Sequence, residues 1–304
     1  MRSTDEILTS LRLPTRDAYD LPESRKRFAD GGQYRIEIPS CEGPLAMEAV
    51  LAASREHVVS IHRVSQGSGV MLQTDDEIRR MLALGREHGI EVCLFVGPRA
   101  NWDVGVQAAS SSGKVLGSSL RGVDQLVYGI EDVRHAVELG LRSVLVADVG
   151  QLMILGRMKA AGDLPADFVL KISVTLAAAN PATARVLEDL GASSINLPVD
   201  LSVPQIAAIR QTIDAAIDFY VEAPDDFGGT VRHYEIAELV RIAAPIYLKF
   251  GLRNAPGIYP SGQHLEPAVL AMSRERVRRA AIGLALLRRY APDAVPSPLG
   301  TRVS

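Results

Sequence analysis

The chain has 304 residues, of which 47% are hydrophobic and 23% are charged, a composition typical of a globular protein. A net charge of -3 and an aromatic content of 5% argue against a nucleic-acid partner. Cys41 and Cys93 form no CxxC pattern, which excludes a four-cysteine zinc or iron–sulfur site built from this chain alone. Since no stretch reads as a signal or a membrane span, we expect a cytoplasmic protein without a membrane partner.

In chain order, the pattern predicts a lead-in segment over residues 1–33, a regular alternation of strands and helices over 34–291, and a tail over 292–304. The predicted strands are Tyr34–Ser40, Val58–Val64, Ile90–Val96, Ser143–Asp148, Phe168–Thr175, Ser194–Val199 and two further strands within Ile217–Gly251. The predicted helices are Asp5–Leu13, Leu45–His57, Thr74–His88, Val123–Leu139, Gln151–Ala161, Pro181–Leu190, Pro204–Asp214, a helix between the last two strands, and Glu266–Tyr290.

The helix ends carry repeated signals. Glycine follows a helix and precedes a strand in HGI at 88–90, LGL at 139–141 and LGA at 190–192, as expected of a C-cap. About eight strand–helix units suit a (β/α)8 barrel of the α/β class, also called a TIM barrel. An open doubly wound sheet is the alternative. Polar residues alternate with apolar ones in several strands, which favours the barrel because central strands of an open sheet are almost uniformly apolar.

The stretch from Ile217 to Gly251 shows this alternation most clearly. Tyr220 and Glu222 share one parity of the seventh strand, and Lys249 lies on the polar parity of the eighth. Charged side chains are costly to enclose without partners, so the polar face predicts an active site. The same parity argument adds residues from the first and fifth strands. The predicted catalytic residues are Glu37, Lys171, Glu222 and Lys249.

Active sites of (β/α)8 barrels lie at the carboxyl ends of the strands, where further polar residues are predicted to bind the substrate. They are His62, Arg63, Gln66, Arg99, Trp102, Asn196, Tyr220, Arg253 and Asn254. The glycine-containing stretches 67–69 and 251–262 could cradle an anion, with arginine pairing to carboxylate or phosphate. Loops as long as 97–122 are often functional lids, and we expect this one to close on a ligand.

Three kinds of chemistry stay open for these residues. A lysine, Lys249 or Lys171, could form a Schiff base with a carbonyl substrate. Glu37, His62, Asp148 and Glu222 could instead hold a divalent metal such as magnesium or manganese. Unpaired buried glutamates would have raised pKa values suited to acid–base catalysis. The alternative to all three is that Glu222 and Lys249 form a structural ion pair.

One segment resembles a known family. LKISVTLAAANPATARVLEDLGASSINLPVDLSVPQIAAIR, residues 170–210, is similar to the middle of the collagenase-like, or U-32, peptidase family, and the resemblance extends over roughly 123–251. It implies a TIM barrel, and family members have been linked to proteolysis and to RNA or quinone hydroxylation. The family usually carries a cysteine motif after the seventh strand, whereas residues 223–229 here read APDDFGG. The resemblance therefore implies no iron–sulfur cluster for this chain.

The sequence thus predicts a barrel enzyme that acts on a small substrate with carboxylate, phosphate or hydroxyl groups. Glutamate and lysine would supply acid–base chemistry, with or without a metal. A hydrolase such as a peptidase, a Schiff-base lyase or aldolase, and a barrel that only binds a ligand are the alternatives. Apolar residues at helical spacing in 266–290 pack on the barrel or form a homo-oligomer interface.

Overall fold

Eight parallel strands close into a barrel in the protein's structure, a computed structural model that describes residues 2–99 and 117–300. Each strand pairs with its sequence neighbours, and β1 pairs with β8, so the predicted (β/α)8 barrel is confirmed. Trp102 and most of the predicted lid lie outside the described residues. The strands are β1 Tyr34–Pro39, β2 Arg63–Gln66, β3 Glu91–Phe95, β4 Ser143–Val146, β5 Val169–Ile172, β6 Ser194–Asn196, β7 Ala216–Glu222 and β8 Ile246–Phe250.

Helices surround the barrel and follow the strands in the expected alternation. They are α1 Thr4–Ser10, α2 Pro44–His57, α3 Asp75–His88, α4 Gly122–Glu138, α5 Val149–Ala161, α6 Pro181–Asp189, α7 Val203–Thr212, α8 Ile236–Ala243 and α9 Glu266–Tyr290. The expected capping box forms between Thr74 and Glu77 at the start of α3. Gly89, at φ 65°, ends the same helix in the left-handed conformation, which glycine adopts without steric cost.

The main hydrophobic core lies between the sheet and the helices. Outward side chains such as Ile36, Leu170 and Phe219 are fully or almost fully buried there. The inward side chains of the same strands are largely polar, and several are charged. This arrangement places the polar groups inside the barrel. Because burying an unpaired polar group costs free energy, they must form hydrogen bonds and ion pairs with one another.

The second strand begins five residues later than the sequence pattern predicts. Helix α2 ends at His57, its C-cap residue Val58 takes a left-handed conformation at φ 53°, and regular pairing starts only at Arg63. His62 and Arg63 therefore lie at the amino end of β2, away from the carboxyl ends where the sequence analysis placed them. The β-branched run before them reads locally as a strand, but no neighbouring strand pairs with it.

Residues from both ends of the chain meet the amino ends of the strands. The Gln33 amide donates to the Val295 carbonyl oxygen at 2.7 Å, and the Ser297 amide donates to the Tyr34 carbonyl oxygen at 3.0 Å. Arg35 donates to the Ser297 hydroxyl at 3.0 Å and pairs with Asp30 at 2.7 Å. These contacts cover one end of the barrel and leave its carboxyl end as the open mouth. Across the described ranges, none of the helices is long and apolar enough to span a bilayer.

Candidate active site

The centre of the barrel holds a buried network of opposite charges. Arg63 donates to Glu91 at 2.8 Å and to Asp218 at 3.0 Å, and contacts Glu37 at 3.3 Å. Its guanidinium group lies 3.6 Å from the ring centroid of Tyr247, a favourable cation–π geometry. Arg63 is completely buried by these neighbours. Its charge is therefore paired with carboxylates of the protein itself, and it is not exposed to a ligand at the mouth.

Glu37 sits at the meeting point of this network. Its carboxylate accepts hydrogen bonds from Lys171 through both oxygens and from the Ser65 hydroxyl at 2.6 Å. Lys249 lies 3.5 Å away. Burial raises the pKa of Glu37, but the charges of Lys171, Lys249 and Arg63 outweigh burial and bring the pKa well below its ordinary value. The raised pKa expected for an unpaired buried glutamate therefore does not arise, and the geometry holds Glu37 as a fixed anion.

Lys249 connects this network to the mouth. With the Asn196 side-chain amide oriented so that its oxygen faces Lys249, the ammonium group donates to that oxygen at 2.7 Å, and the Asn196 side-chain NH2 donates to the Asp218 backbone carbonyl oxygen at 3.2 Å. The same ammonium group lies 4.1 Å from the Tyr220 ring centroid. Lys171, one layer deeper, has no exposed surface. Of the two candidate lysines, Lys249 is thus the one that faces the open end.

The mouth is a cavity of about 80 Å³ at the carboxyl ends of the strands, with a mostly apolar surface into which a few polar and charged groups point. It is lined by residues from several strands and their loops, including Ser65, Arg99, Ser173, Asn196, Tyr220 and Lys249. Arg99 stacks 3.5 Å from the Phe95 ring centroid and donates to the Gly67 carbonyl oxygen. Among the described residues that line the cavity there are two cations and no aspartate or glutamate, so the local charge favours an anion.

The four candidate metal ligands do not come together. His62 lies at the covered end, where its Nδ1 accepts from the Ile36 amide at 3.0 Å and its Nε2 donates to the Ser297 carbonyl oxygen at 2.8 Å. Asp148 caps α5 through the Gln151 amide at 2.9 Å. Within residues 2–99 and 117–300, no three His, Cys, Asp or Glu side chains are grouped closely enough to hold a metal. The metal site expected from Glu37, His62, Asp148 and Glu222 is therefore not assembled.

Glu222 points away from Lys249. Pairing between β7 and β8 shifts register between Tyr220 and Glu222, which breaks the alternation that the sequence suggested. The Glu222 carboxylate instead contacts His233 at 3.2 Å and the Arg253 amide at 3.0 Å, with Arg279 at 3.7 Å. It joins the loops after β7 and β8 to α9 and does not line the mouth cavity.

Arg253 and Asn254 also lie outside the cavity. The Arg253 side chain pairs with Asp225 at 2.8 Å, and the backbone amide of Asn254 donates to the same carboxylate. The acidic loop after β7 thereby holds the loop after β8. Of the predicted substrate-binding residues, the structure gathers Gln66, Arg99, Asn196 and Tyr220 at the mouth.

We expect Glu222→Gln to lower the free energy of unfolding at pH 7 by about 1–3 kcal/mol, because the amide cannot replace a carboxylate that accepts two hydrogen bonds. Burial raises the pKa of Glu222, but hydrogen bonds from His233 and Arg253 and the charge of Arg279 bring it below its ordinary value. Because the pKa of Glu222 is lower in the folded protein than in the unfolded chain, its carboxylate stabilises the fold above the unfolded-state pKa of about 4.3. This stabilisation is lost as pH falls through the folded-state pKa.

Urea unfolding of wild type and Glu222→Gln at a series of pH values from 7 downward measures this difference, which should shrink as pH falls through the lowered pKa of Glu222. Glu131→Gln is the control, since Glu131 is an exposed residue that pairs with Arg134 on the same helix. Unchanged stability with a large loss of turnover would return Glu222 to the chemistry.

Two network members were missed as site residues, although strand parity carries the signal for both. Asp218 shares the inward parity of β7 with Tyr220, and its carboxylate contacts Arg63 and Ser194. Glu91 opens β3 on the inward side, where it accepts from the Ser143 hydroxyl at 2.6 Å. Reading every polar residue of that parity as inward would have found them.

The fold and mouth define a (β/α)8 barrel with a cation-bearing opening. The model of peptidase family U32 matches residues 122–223, which confirms the family resemblance over about a third of the chain. None of the curated proteins compared with the chain matches it.

Two solved structures illustrate the similarity. One is a U32 peptidase, with a TM-score of 0.42, 15% identity, and coverage of 79% of this chain and 98% of that chain. The other is 3-keto-L-gulonate-6-phosphate decarboxylase from Vibrio cholerae O1 biovar El Tor, with a TM-score of 0.40, 11% identity, and coverage of 84% and 98%. Both likenesses are too distant to assign a reaction.

Proposed function

We propose that the protein is an enzyme that binds a small anionic substrate carrying carbonyl or hydroxyl groups at the mouth of the barrel. The position of Lys249 is the observation that carries this proposal. Its side chain lines the mouth cavity, whose other described lining residues include a second cation, Arg99, and no carboxylate. A carboxylate or phosphate would be attracted to this cavity, whereas a cation would meet two like charges.

Arg99 and Lys249 have separate roles in this proposal. Arg99 binds the anionic end of the substrate, because a guanidinium group recognises carboxylate and phosphate oxygens. Lys249 contacts the carbonyl or hydroxyl oxygen, and Asn196 and Tyr220 fix its direction. Glu37 does not touch the substrate; it holds the ammonium groups of Lys171 and Lys249 in place.

Lys249 can act on a carbonyl in two ways. As an ammonium ion it donates a hydrogen bond to the carbonyl oxygen and stabilises negative charge that develops there. As a free amine it adds to the carbonyl carbon and forms an imine with loss of water. In both cases Lys249, and not the enclosed Lys171, is the catalytic residue.

A thiol peptidase is less well supported by the same structure. Cys41 and Cys93 are both buried, and burial raises the pKa of the Cys93 thiol to about 12. A thiol nucleophile needs the opposite conditions, namely a lowered pKa and access to the substrate. The proposal for carbonyl and hydroxyl substrates rests on groups that do reach the mouth.

Paired ligands test the charge preference. Thermal unfolding is measured with pyruvate against hydroxyacetone and with glycerol 3-phosphate against glycerol, at concentrations up to 10 mM as an order-of-magnitude ceiling. We expect the anionic member to stabilise the fold, by about 2.7 kcal/mol at 100 times its dissociation constant, and the neutral member to have little effect. Equal responses to both members, or no response to any anion, would contradict the proposal.

Borohydride reduction in the presence of pyruvate then separates the two modes. A stable mass increase mapped to the peptide that contains Lys249 indicates an imine. If the ligand binds and is converted but no adduct forms, Lys249 acts as an ammonium ion. If ligands bind and none is converted, the barrel is a binding protein without catalytic activity.

A further inference from the structure

The turn that follows β2 already cradles an anion, and that anion belongs to the protein. The Glu42 carboxylate accepts from the Gly67 amide at 2.7 Å and from the Ser68 amide at 3.1 Å. Consecutive amides that converge on one group form an anion-binding concavity. The glycine-containing stretch at 67–69 therefore binds a side chain from the loop after β1 and is not free for a substrate.

This turn carries several groups of the mouth. The Gly67 carbonyl oxygen accepts from Arg99, and Gly67 packs so closely on Tyr259 that an added Cβ would lie 2.5 Å from the ring. The Ser68 hydroxyl accepts from the Ser261 amide at 2.8 Å. The turn thus links the loop after β1, the ends of β2 and β3, and the segment after β8.

Glu42 itself does not line the mouth. It lines a second cavity, of about 270 Å³, between α2, α3 and the start of α9. Gln66 is shared by the two cavities, so the turn forms the wall between them. Glu42 therefore contacts the mouth through the turn, and its charge also acts through space on Arg99.

We propose that Glu42 is a positioning residue that holds the Gly67–Ser68 turn and thereby sets Arg99 for the anionic end of the substrate. This inference rests on the proposed function, because it requires an anion at the mouth. The chain of contacts is short: the Glu42 carboxylate fixes the Gly67 amide, and the carbonyl oxygen of the same residue fixes the Arg99 side chain.

Because Glu42 acts through its charged carboxylate, we expect anion binding to depend on pH. Burial raises the pKa of Glu42, and hydrogen bonds from Ser68 and Gly67 offset part of that rise. The charged and titratable groups that face Glu42 or its outer cavity are Cys41, Arg276, Tyr259, Arg99, Glu77, Arg80 and Glu266. As pH falls through the raised pKa, the carboxylate gains a proton and can no longer accept through both oxygens. Anion binding should therefore weaken at a higher pH than an ordinary glutamate would set.

A double-mutant cycle with pyruvate and with inorganic phosphate tests the mechanism by titration calorimetry. We expect Glu42→Gln to weaken binding about tenfold. Because Glu42 acts through Arg99, the same change should have almost no effect when it is made in Arg99→Met. The control is Glu48→Gln, which removes a partly exposed glutamate of α2 paired with Arg80 and should bind like wild type. When anion affinity is measured against pH, the loss of affinity that wild type shows as Glu42 is protonated should be absent from Glu42→Gln.

The outcomes are distinct. Equal affinity of Glu42→Gln and wild type, or losses that add in the double variant, would overturn the positioning role while leaving the proposed function intact. Failure of wild type to bind either anion would overturn both. If circular dichroism shows that Glu42→Gln does not fold, Glu42→Asp takes its place in the cycle, because the shorter side chain keeps the charge but draws the carboxylate away from the Gly67 and Ser68 amides; additive losses there contradict the inference equally.

Discussion

Replacing Arg63 by methionine is expected to lower the free energy of unfolding by about 3–5 kcal/mol, the usual cost of removing one partner from a buried ionic group. The guanidinium group contacts carboxylates of Glu37, Glu91 and Asp218 inside the barrel. Methionine replaces the aliphatic part of arginine but has no guanidinium group, so the variant encloses the same carboxylates with one cation fewer. Equilibrium urea unfolding measures the change.

Arg79→Met is the matched control for this experiment. Arg79 is exposed on α3 and pairs with Asp75 and Asp76 at 3.3 and 3.0 Å, and exposed pairs contribute about 0–1 kcal/mol. A stable Arg63→Met variant that has lost anion binding would show the opposite assignment, in which Arg63 serves the ligand and not the fold.

Replacing Lys249 by methionine is expected to leave the barrel folded and to weaken anion binding about 10- to 100-fold, the equivalent of one charge-assisted hydrogen bond of about 1.5–3 kcal/mol. Folding should tolerate the change because Glu37 keeps its contacts with Lys171 and Arg63. Any imine formed with pyruvate should be lost as well. Calorimetric titration and borohydride reduction followed by intact mass measure the two effects.

Lys26→Met controls for the loss of a positive charge. Lys26 lies before β1 and pairs with Asp214 at 2.6 Å, and it does not line the mouth cavity. Its replacement should leave anion binding unchanged. Undiminished binding by Lys249→Met, or an adduct that maps to Lys171, would remove Lys249 from the proposed chemistry.

Strand periodicity was enough to predict much of the barrel interior. The alternation placed Glu37, Lys171, Asn196, Tyr220 and Lys249 on the enclosed face, and their contacts in the structure run across the barrel. The repeated glycine caps gave the order of strands and helices. Both signals are local, because they depend on backbone conformation and on which face of a strand must be covered.

The errors arose where pairing between distant segments overrides a local pattern. Glu222 continues the alternation of β7 in sequence, yet the register shift against β8 turns it toward His233 and Arg279. His62 follows a β-branched run that finds no neighbouring strand. The glycine turn was considered as a cradle for a ligand anion, but nothing local shows that Glu42, 25 residues earlier, would occupy it.

The central charge network also bears on whether the barrel can be divided. An amino-terminal half containing β1 to β4 would include Glu37, Arg63 and Glu91 but would lack Lys171, Asp218 and Lys249. Dividing the barrel there would break the contacts of Lys171 and Lys249 with Glu37 and of Arg63 with Asp218. Because these charge pairs cross between the halves inside the barrel, we expect the two halves to unfold as one cooperative unit.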